Sequence, residues 1–391
     1  ALMLTGSALF WPMEVSAGEG VQLGRNNNAQ NYYSSAIGID SYAGQEGDLA
    51  VGTQSRATGI RSTAIGHQAN ASSPDAISIG TLSGASATGS VAMGHAARAR
   101  GEAANALGRD SNANGRGSNA LGAYSQASQD YATSLGNEAK ALGRSASALG
   151  ARSQATAESS TSLGDTAIAQ GRSATSLGAG TKALSASASA LGDTAYASGI
   201  SASAFGAGSK AEGSSATALG DSAYATGHSA SALGARSKAL SEAATALGDS
   251  AYAQGRSASA FGASAKASGD NTIALGETSQ ATATLANALG SHATATGTEA
   301  TAVGASSLAS EQGALAIGFA SNARLAGAVA LGANSVTSTG SGQVGYDPSG
   351  ANHVGDTTGV WKATRAAVSI GDKSQNITRQ ITNVAAGTDD T

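Results

Sequence analysis

Large apolar residues along this chain form neither globular blocks nor 3.6-residue stripes; they return every fourteen positions. From Leu23 to Leu331 one stands directly before each of a series of glycines that runs from Gly24 through Gly38, Gly52 and Gly66 to Gly332 without an insertion or deletion. Alanine occupies the fifth place after each of them from Ala29 to Ala323. Strict self-similarity at a short period marks a solenoid, in which each repeat makes the same backbone circuit and stacks on the one before. One coil, residues 221–234 (DSAYATGHSASALG), divides into two short period-two runs separated by turn residues. Each coil therefore predicts two strands and two tight turns, with copies pairing in parallel about 4.8 Å apart. Glycine recurs at the seventh place too, as at Gly171, Gly199 and Gly227, but Ser185 and Ser241 also stand there, so only the fourteenth place demands it. The fold class that follows is all-β, a parallel β-solenoid of 14-residue coils.

The two strands differ in patterning. In the first, Ala223 and Ala225 share one face while Tyr224 and Thr226 take the other, the arrangement of a half-buried strand. In the second, Leu233 and Ser231 lie on one face and Ala230 and Ala232 on the other, and neither face is made for water. One large aliphatic and a few alanines per coil are little apolar surface with which to offset the ordering of fourteen residues. Burial of the small-residue face against copies of the chain, in a cyclic homo-oligomer, is the expected remedy.

Composition removes several alternatives. With 54 glycines and 4% aromatics the chain could pass for a disordered segment, yet disorder does not hold a register free of insertions. The net charge is -4, without a basic run, so there is no electrostatic case for a nucleic-acid partner. The absence of cysteine removes thiol catalysis and thiolate metal sites. Residues 1–17 hold a short apolar run, Pro12, and Val15-Ser16-Ala17 ahead of Gly18, which reads as the end of a secretory signal peptide or, alternatively, as an apolar cap on the first coil.

A longer period lies inside the short one. At the fourth place after successive glycines stand Lys182, Tyr196, Lys210, Tyr224, Lys238, Tyr252 and Lys266, a twenty-eight-residue alternation. Interleaved tyrosines would separate the lysines to about 10 Å and offer them rings. The column admits two readings: a solvated stripe that serves solubility, or a polyvalent ligand-facing stripe.

Catalysis needs different side chains converging at one point, and repetition of the same small residues at every level works against that. His67 and His95 share a column but lie two coils apart, about 10 Å, too far for a common metal. His228, His292 and His353 align with neither, and 177–182 (LGAGTK) lacks the spacing of a phosphate loop. No enzymatic activity, metal or cofactor is expected.

After Gly332 the register fails, and Pro348, His353 and Trp361 appear in a less repetitive region before Val368-Ser369-Ile370-Gly371 echoes the coil once. Residues 377–388 then read ITRQITNVAAGT. Coils ending Ala64-Ile65-Gly66 or Ala218-Leu219-Gly220, followed by that segment, closely resemble the trimeric autotransporter adhesins of Gram-negative bacteria. The resemblance implies a homotrimer whose YadA-like head, residues 18–332, is a left-handed β-roll. It further implies a head-to-neck adapter at 333–367 and a neck at 368–391 whose motif includes Arg379, Gln380, Ile381, Asn383 and Val384. It places the protein on the bacterial surface, anchored through a C-terminal outer-membrane barrel that, like the stalk, does not lie within these residues, so the chain is expected to be a fragment of a longer adhesin. Host extracellular matrix proteins, cell-surface receptors and other bacterial cells are the partners it implies. Where family repeats often read Asn-Ser-Val-Ala-Ile-Gly, the central coils here read Ser-Ala-Ser-Ala-Leu-Gly, as at 229–234. Two rival functions remain: a structural spacer rod, and an ice-binding face, which would need a regular Thr lattice that Ser189, Ser203 and Ser231 interrupt.

Overall fold

A computed structural model of the chain describes residues 20–29, 31–356 and 359–385; the signal segment expected at 1–17 lies outside them. The chain divides into two compact units, Ala1–Thr194 and Ala195–Thr391. Both are parallel β-solenoids. In the first unit Thr133–Leu135 pairs with Ser147–Leu149 in the register Thr133↔Ser147, and Lys140–Ala141 pairs with Gln154–Ala155. In the second, Thr217–Leu219 pairs with Ser231–Leu233, and Tyr224–Ala225 with Lys238–Ala239. Every such residue has its partner fourteen positions on, so the period seen in sequence is the sheet register.

The turns explain the glycine column. Gly234 has φ +126°, and a Cβ built on it would lie 2.5 Å from the carbonyl oxygen of Gly248 in the next coil. No L side chain fits there. At the seventh place φ is not positive; a Cβ on Gly227 would still approach Ser241 O to 1.9 Å, yet Ser185 and Ser241 occupy equivalent places, so that backbone can give way. Each coil carries further left-handed residues at the second and ninth places after its glycine, such as Arg236 (φ 56°) and Ala243 (φ 54°). These sit in the αL well, which costs an ordinary residue about 1–2 kcal/mol. The cost is offset because their N–H groups join the ladder: Arg236 N donates to Asp221 O at 2.8 Å and Ala243 N to His228 O at 2.9 Å. The ladder thus continues around the turns as well as along the strands.

Among the described residues the core is built from side chains no larger than threonine, and one of them is charged. In the coil around Gly234, Ser237, Ala239, Ala244 and Ala246 point inward and are fully buried. Ser237 Oγ donates to Gly234 O at 2.8 Å, a bond repeated by Ser55, Ser125 and Ser279 in their own coils. Alanine replaces that serine at Ala223 and Ala251, where the backbone N–H alone makes the turn bond to the glycine carbonyl at 3.3 Å. The charged one is Asp48, 1% exposed. Its carboxylate accepts from Ser62 N, Ser62 Oγ and Gln45 N at 2.7–2.9 Å, which satisfies it without a counter-ion.

This packing corrects one expectation. The small-residue faces of both strands are consumed inside the single chain, so they are not free to meet a second copy. The leucine column faces outward instead, and Leu219, Leu247 and Leu275 are each 47% exposed.

The second unit closes in an unforeseen way. Beyond Val329–Leu331 the chain departs, and Val368–Ser369 returns to pair with Val329 and Ala330, filling the rung that residues fourteen on would have taken. Val336 N donates to Gly371 O at 2.8 Å. A short 3-10 helix, Lys373–Gln375, follows, capped by the Asp372 side chain, which accepts from Ser374 N.

Candidate ligand-facing surface and family

The fourth place after each glycine lies in the two-residue strand, between inward-pointing neighbours, so its side chain stands on the outer face. In the second unit Tyr196, Lys210, Tyr224, Lys238, Tyr252 and Lys266 occupy adjacent rungs in unbroken register. The lysines are exposed and the tyrosines half-buried. Lys182, in the first unit, occupies the same column beside Ile168 and is exposed as well. One of the tyrosines has a partner that the lysines lack. Tyr224 Oη donates to Glu212 Oε2 at 3.0 Å, and burial together with that carboxylate raises its pKa above the ordinary phenol value. Among the described residues the rings that receive a cation lie elsewhere: Arg109 sits 4.8 Å over Tyr124, and Arg116 5.3 Å over Tyr131.

Turn charges behave differently from the stripe. Arg236 Nη2 donates to both carboxylate oxygens of Asp249 at 2.9 Å, Arg61 pairs with Asp75 at 2.8 Å, and Arg152 with Asp165 at 3.3 Å. All join one coil to the next. Their exposure to solvent makes each worth little. The Glu158 carboxyl is held below its ordinary value by a hydrogen bond from Arg144.

The residues of the expected neck motif separate into two sets. Arg379 folds back over the final coil: Nη1 donates to Ser335 Oγ at 3.1 Å and to Ile370 O, and Nη2 to Ala333 O at 2.6 Å. It supplies donors to carbonyls that the end of the stack would otherwise leave open. Gln380, Ile381, Asn383 and Val384 project into solvent, with Ile381 71% and Val384 69% exposed.

The excursion before the return strand holds a polar cluster that spacing could not have assembled. His353 stacks on Trp361 with ring centroids 3.9 Å apart, and its Nε2 lies 2.9 Å from Asp347 Oδ2. Asp347 also accepts from Ser349 N and Ser349 Oγ, each at 2.8 Å. The Ser349 N–H foremost, then His353 and the Ser349 hydroxyl, hold the Asp347 carboxyl down to about 2 from 3.8. Because the folded form keeps the carboxylate ionised, its contribution is fully present above pH 3.8 and is lost as pH falls towards about 2. Carboxyl NMR should show that depressed titration, and Asp347→Asn should abolish acid loosening of the loop in this window. Among the described residues no group of three or more His, Asp or Glu side chains is arranged to hold a metal ion.

The YadA head domain repeat (2 copies) matches residues 24–55, 57–83, 85–111, 113–139, 141–167, 197–223, 225–251, 253–277, 281–307 and 309–335. The autotransporter adhesin BadA of Bartonella henselae is 47% identical over 51 residues, which are 13% of this chain and 2% of that protein. The chain therefore spans only a small part of that relative. The crystal structure of the collagen-binding domain of the Yersinia adhesin YadA aligns at 22% identity over 57% of this chain and 79% of that one, with a TM-score of 0.22. Head repeats across most of the sequence, in the same fourteen-residue register as the strand ladder, show that the chain belongs to the YadA head-repeat family of trimeric autotransporter adhesins.

Proposed function

We propose that this chain is the adhesive head of a bacterial surface fibre, acting as a homotrimer that binds host extracellular matrix or cell surfaces and links neighbouring bacteria. The observation that carries the reading is the run of family head repeats, supported by the outward leucine column, which leaves each chain with an apolar face to cover. Three copies turned leucine face inward would present their two-residue strands, and with them the Lys and Tyr stripe, to the outside. Avidity then multiplies weak contacts along each chain and around the trimer. Residues 333–367 would act as adapter and 368–391 as the start of a neck, with Arg379 closing the last coil and Ile381 and Val384 meeting their copies. Anchorage in the outer membrane would come from a barrel elsewhere in the full-length protein; among the described residues no helix is long and apolar enough to cross a membrane.

Purified chain should sediment as a trimer and adhere to at least one of immobilised collagen, fibronectin, laminin or cultured cells. Failure on every one of these surfaces by a folded trimer would overturn the adhesin reading in favour of a spacer.

A further inference from the structure

The outer face of the two-residue strands is basic in a protein whose net charge is -4. No Asp or Glu stands in the fourth-place column of either unit, whereas Arg56, Arg98 and Lys140 extend it in the first unit. On the same face the sixth place holds one acid in the second unit, Glu212, whose carboxylate takes the Tyr224 hydroxyl. The nearest turn acid with a cation, Asp249, is already paired with Arg236, while Asp221 takes a 3.4 Å contact from Ser222 Oγ. Among the described residues, by contrast, none of Lys210, Lys238 and Lys266 enters an ion pair or side-chain hydrogen bond. Arg61, Arg144 and Arg236 in the turns are paired with acids of the same chain, and these three stripe lysines are left free.

Their spacing selects a partner. Alternate rungs put successive lysines about 10 Å apart in one column, with a half-buried phenol ring between each pair. We propose that this stripe binds a linear sulfated polysaccharide of the glycosaminoglycan class, laid along the stack with its anions on Lys210, Lys238 and Lys266 and its sugar faces against Tyr224 and Tyr252. A disaccharide is of similar length to two rungs, so one anionic group per disaccharide meets each lysine without strain. Duplex DNA carries a charge about every 1.7 Å of axis, so the same three lysines would leave most of its phosphates unmet. The proposal rests on the adhesin reading and names a ligand class for it.

The test uses the full chain on immobilised heparin, with two charge-matched variants. Lys210→Gln/Lys238→Gln/Lys266→Gln removes the free cations, and Arg61→Gln/Arg144→Gln/Arg236→Gln removes the same number of paired ones. The lysine variant is expected to lose affinity by about tenfold or more, because polyvalent contacts fail together. The arginine variant should stay within about threefold, as expected for exposed charges already paired. Binding should weaken with salt and be lost on fully desulfated heparin, and Glu212→Gln should strengthen it. Equal losses in the two variants, equal binding to desulfated heparin, tighter binding to duplex DNA than to heparin, or no retention of the parent chain would each overturn the proposal. Circular dichroism confirms that the variants fold. Adhesion to collagen, fibronectin and laminin, assayed on the same preparations, reads the broader function separately: a chain that adheres there but ignores heparin loses only this proposal.

Discussion

Gly234→Ala is expected to destabilise the second unit by about 3 kcal/mol or more, where an ordinary surface substitution shifts stability by about half a kcal/mol. The reason is twofold: φ +126° lies far from the αL well, and the new methyl would stand 2.5 Å from a backbone oxygen, Gly248 O, that cannot rotate away. Gly89→Ala is the control. Its φ is +63°, nothing lies within 4 Å of the added Cβ, and Ala96 and Ala103 already hold φ 53° in neighbouring turns. Its cost should be about 1 kcal/mol. Urea denaturation gives the magnitudes. Hydrogen exchange should place the Gly234→Ala damage in the coils on either side, since each repeat is stabilised by its immediate neighbours. Equal effects at the two glycines would mean that neither the φ of the fourteenth place nor its approach to Gly248 O decides which residue stands there.

Charge on the outward leucine face should separate the subunits of the proposed trimer without unfolding them. In Leu219→Asp/Leu247→Asp/Leu275→Asp each replaced side chain is about half-exposed within its own chain, so the coil keeps its alanine core. Covering the remaining half of each leucine in a trimer contributes about 1 kcal/mol per residue, and a carboxylate in that apolar seam costs more than the leucine gave. Sedimentation should change from trimer to monomer while the β-sheet circular dichroism remains. A variant that stays trimeric would move the subunit contact to another face, and a variant that unfolds would mean that each chain depends on its partners for its structure.

Much of this architecture was legible in the residues themselves. The glycine and alanine columns give the strands, their register and the coil length, because a fourteen-residue circuit with parallel pairing puts identical positions on top of one another. The fourth-place column could likewise be placed on an outer face. Which side of the leucine strand the chain keeps for itself was not legible, since both sides are apolar and patterning alone does not rank them. The left-handed residues were hidden for a different reason. Arg236, Ala243, Tyr124 and Glu138 share a backbone state but no chemistry, and αL strain is small enough for ladder bonds to offset whatever the side chain. Arg379 and the Asp347, His353 and Trp361 cluster arise where the period has ended, from contacts as much as 46 residues apart in the chain, and no local spacing announces them.

The return of Val368–Ser369 onto the last full rung has a consequence for life at high density. A parallel sheet that simply stopped would offer bare carbonyls and amides to the next molecule, an invitation to end-on polymerisation. Here the chain lays its own strand across that boundary, and Arg379 takes up the carbonyls of Ala333 and Ile370. The edge that remains is two residues long and flanked by carbonyls that Arg379 already occupies, so this terminus gives a neighbouring copy little on which to grow a fibril.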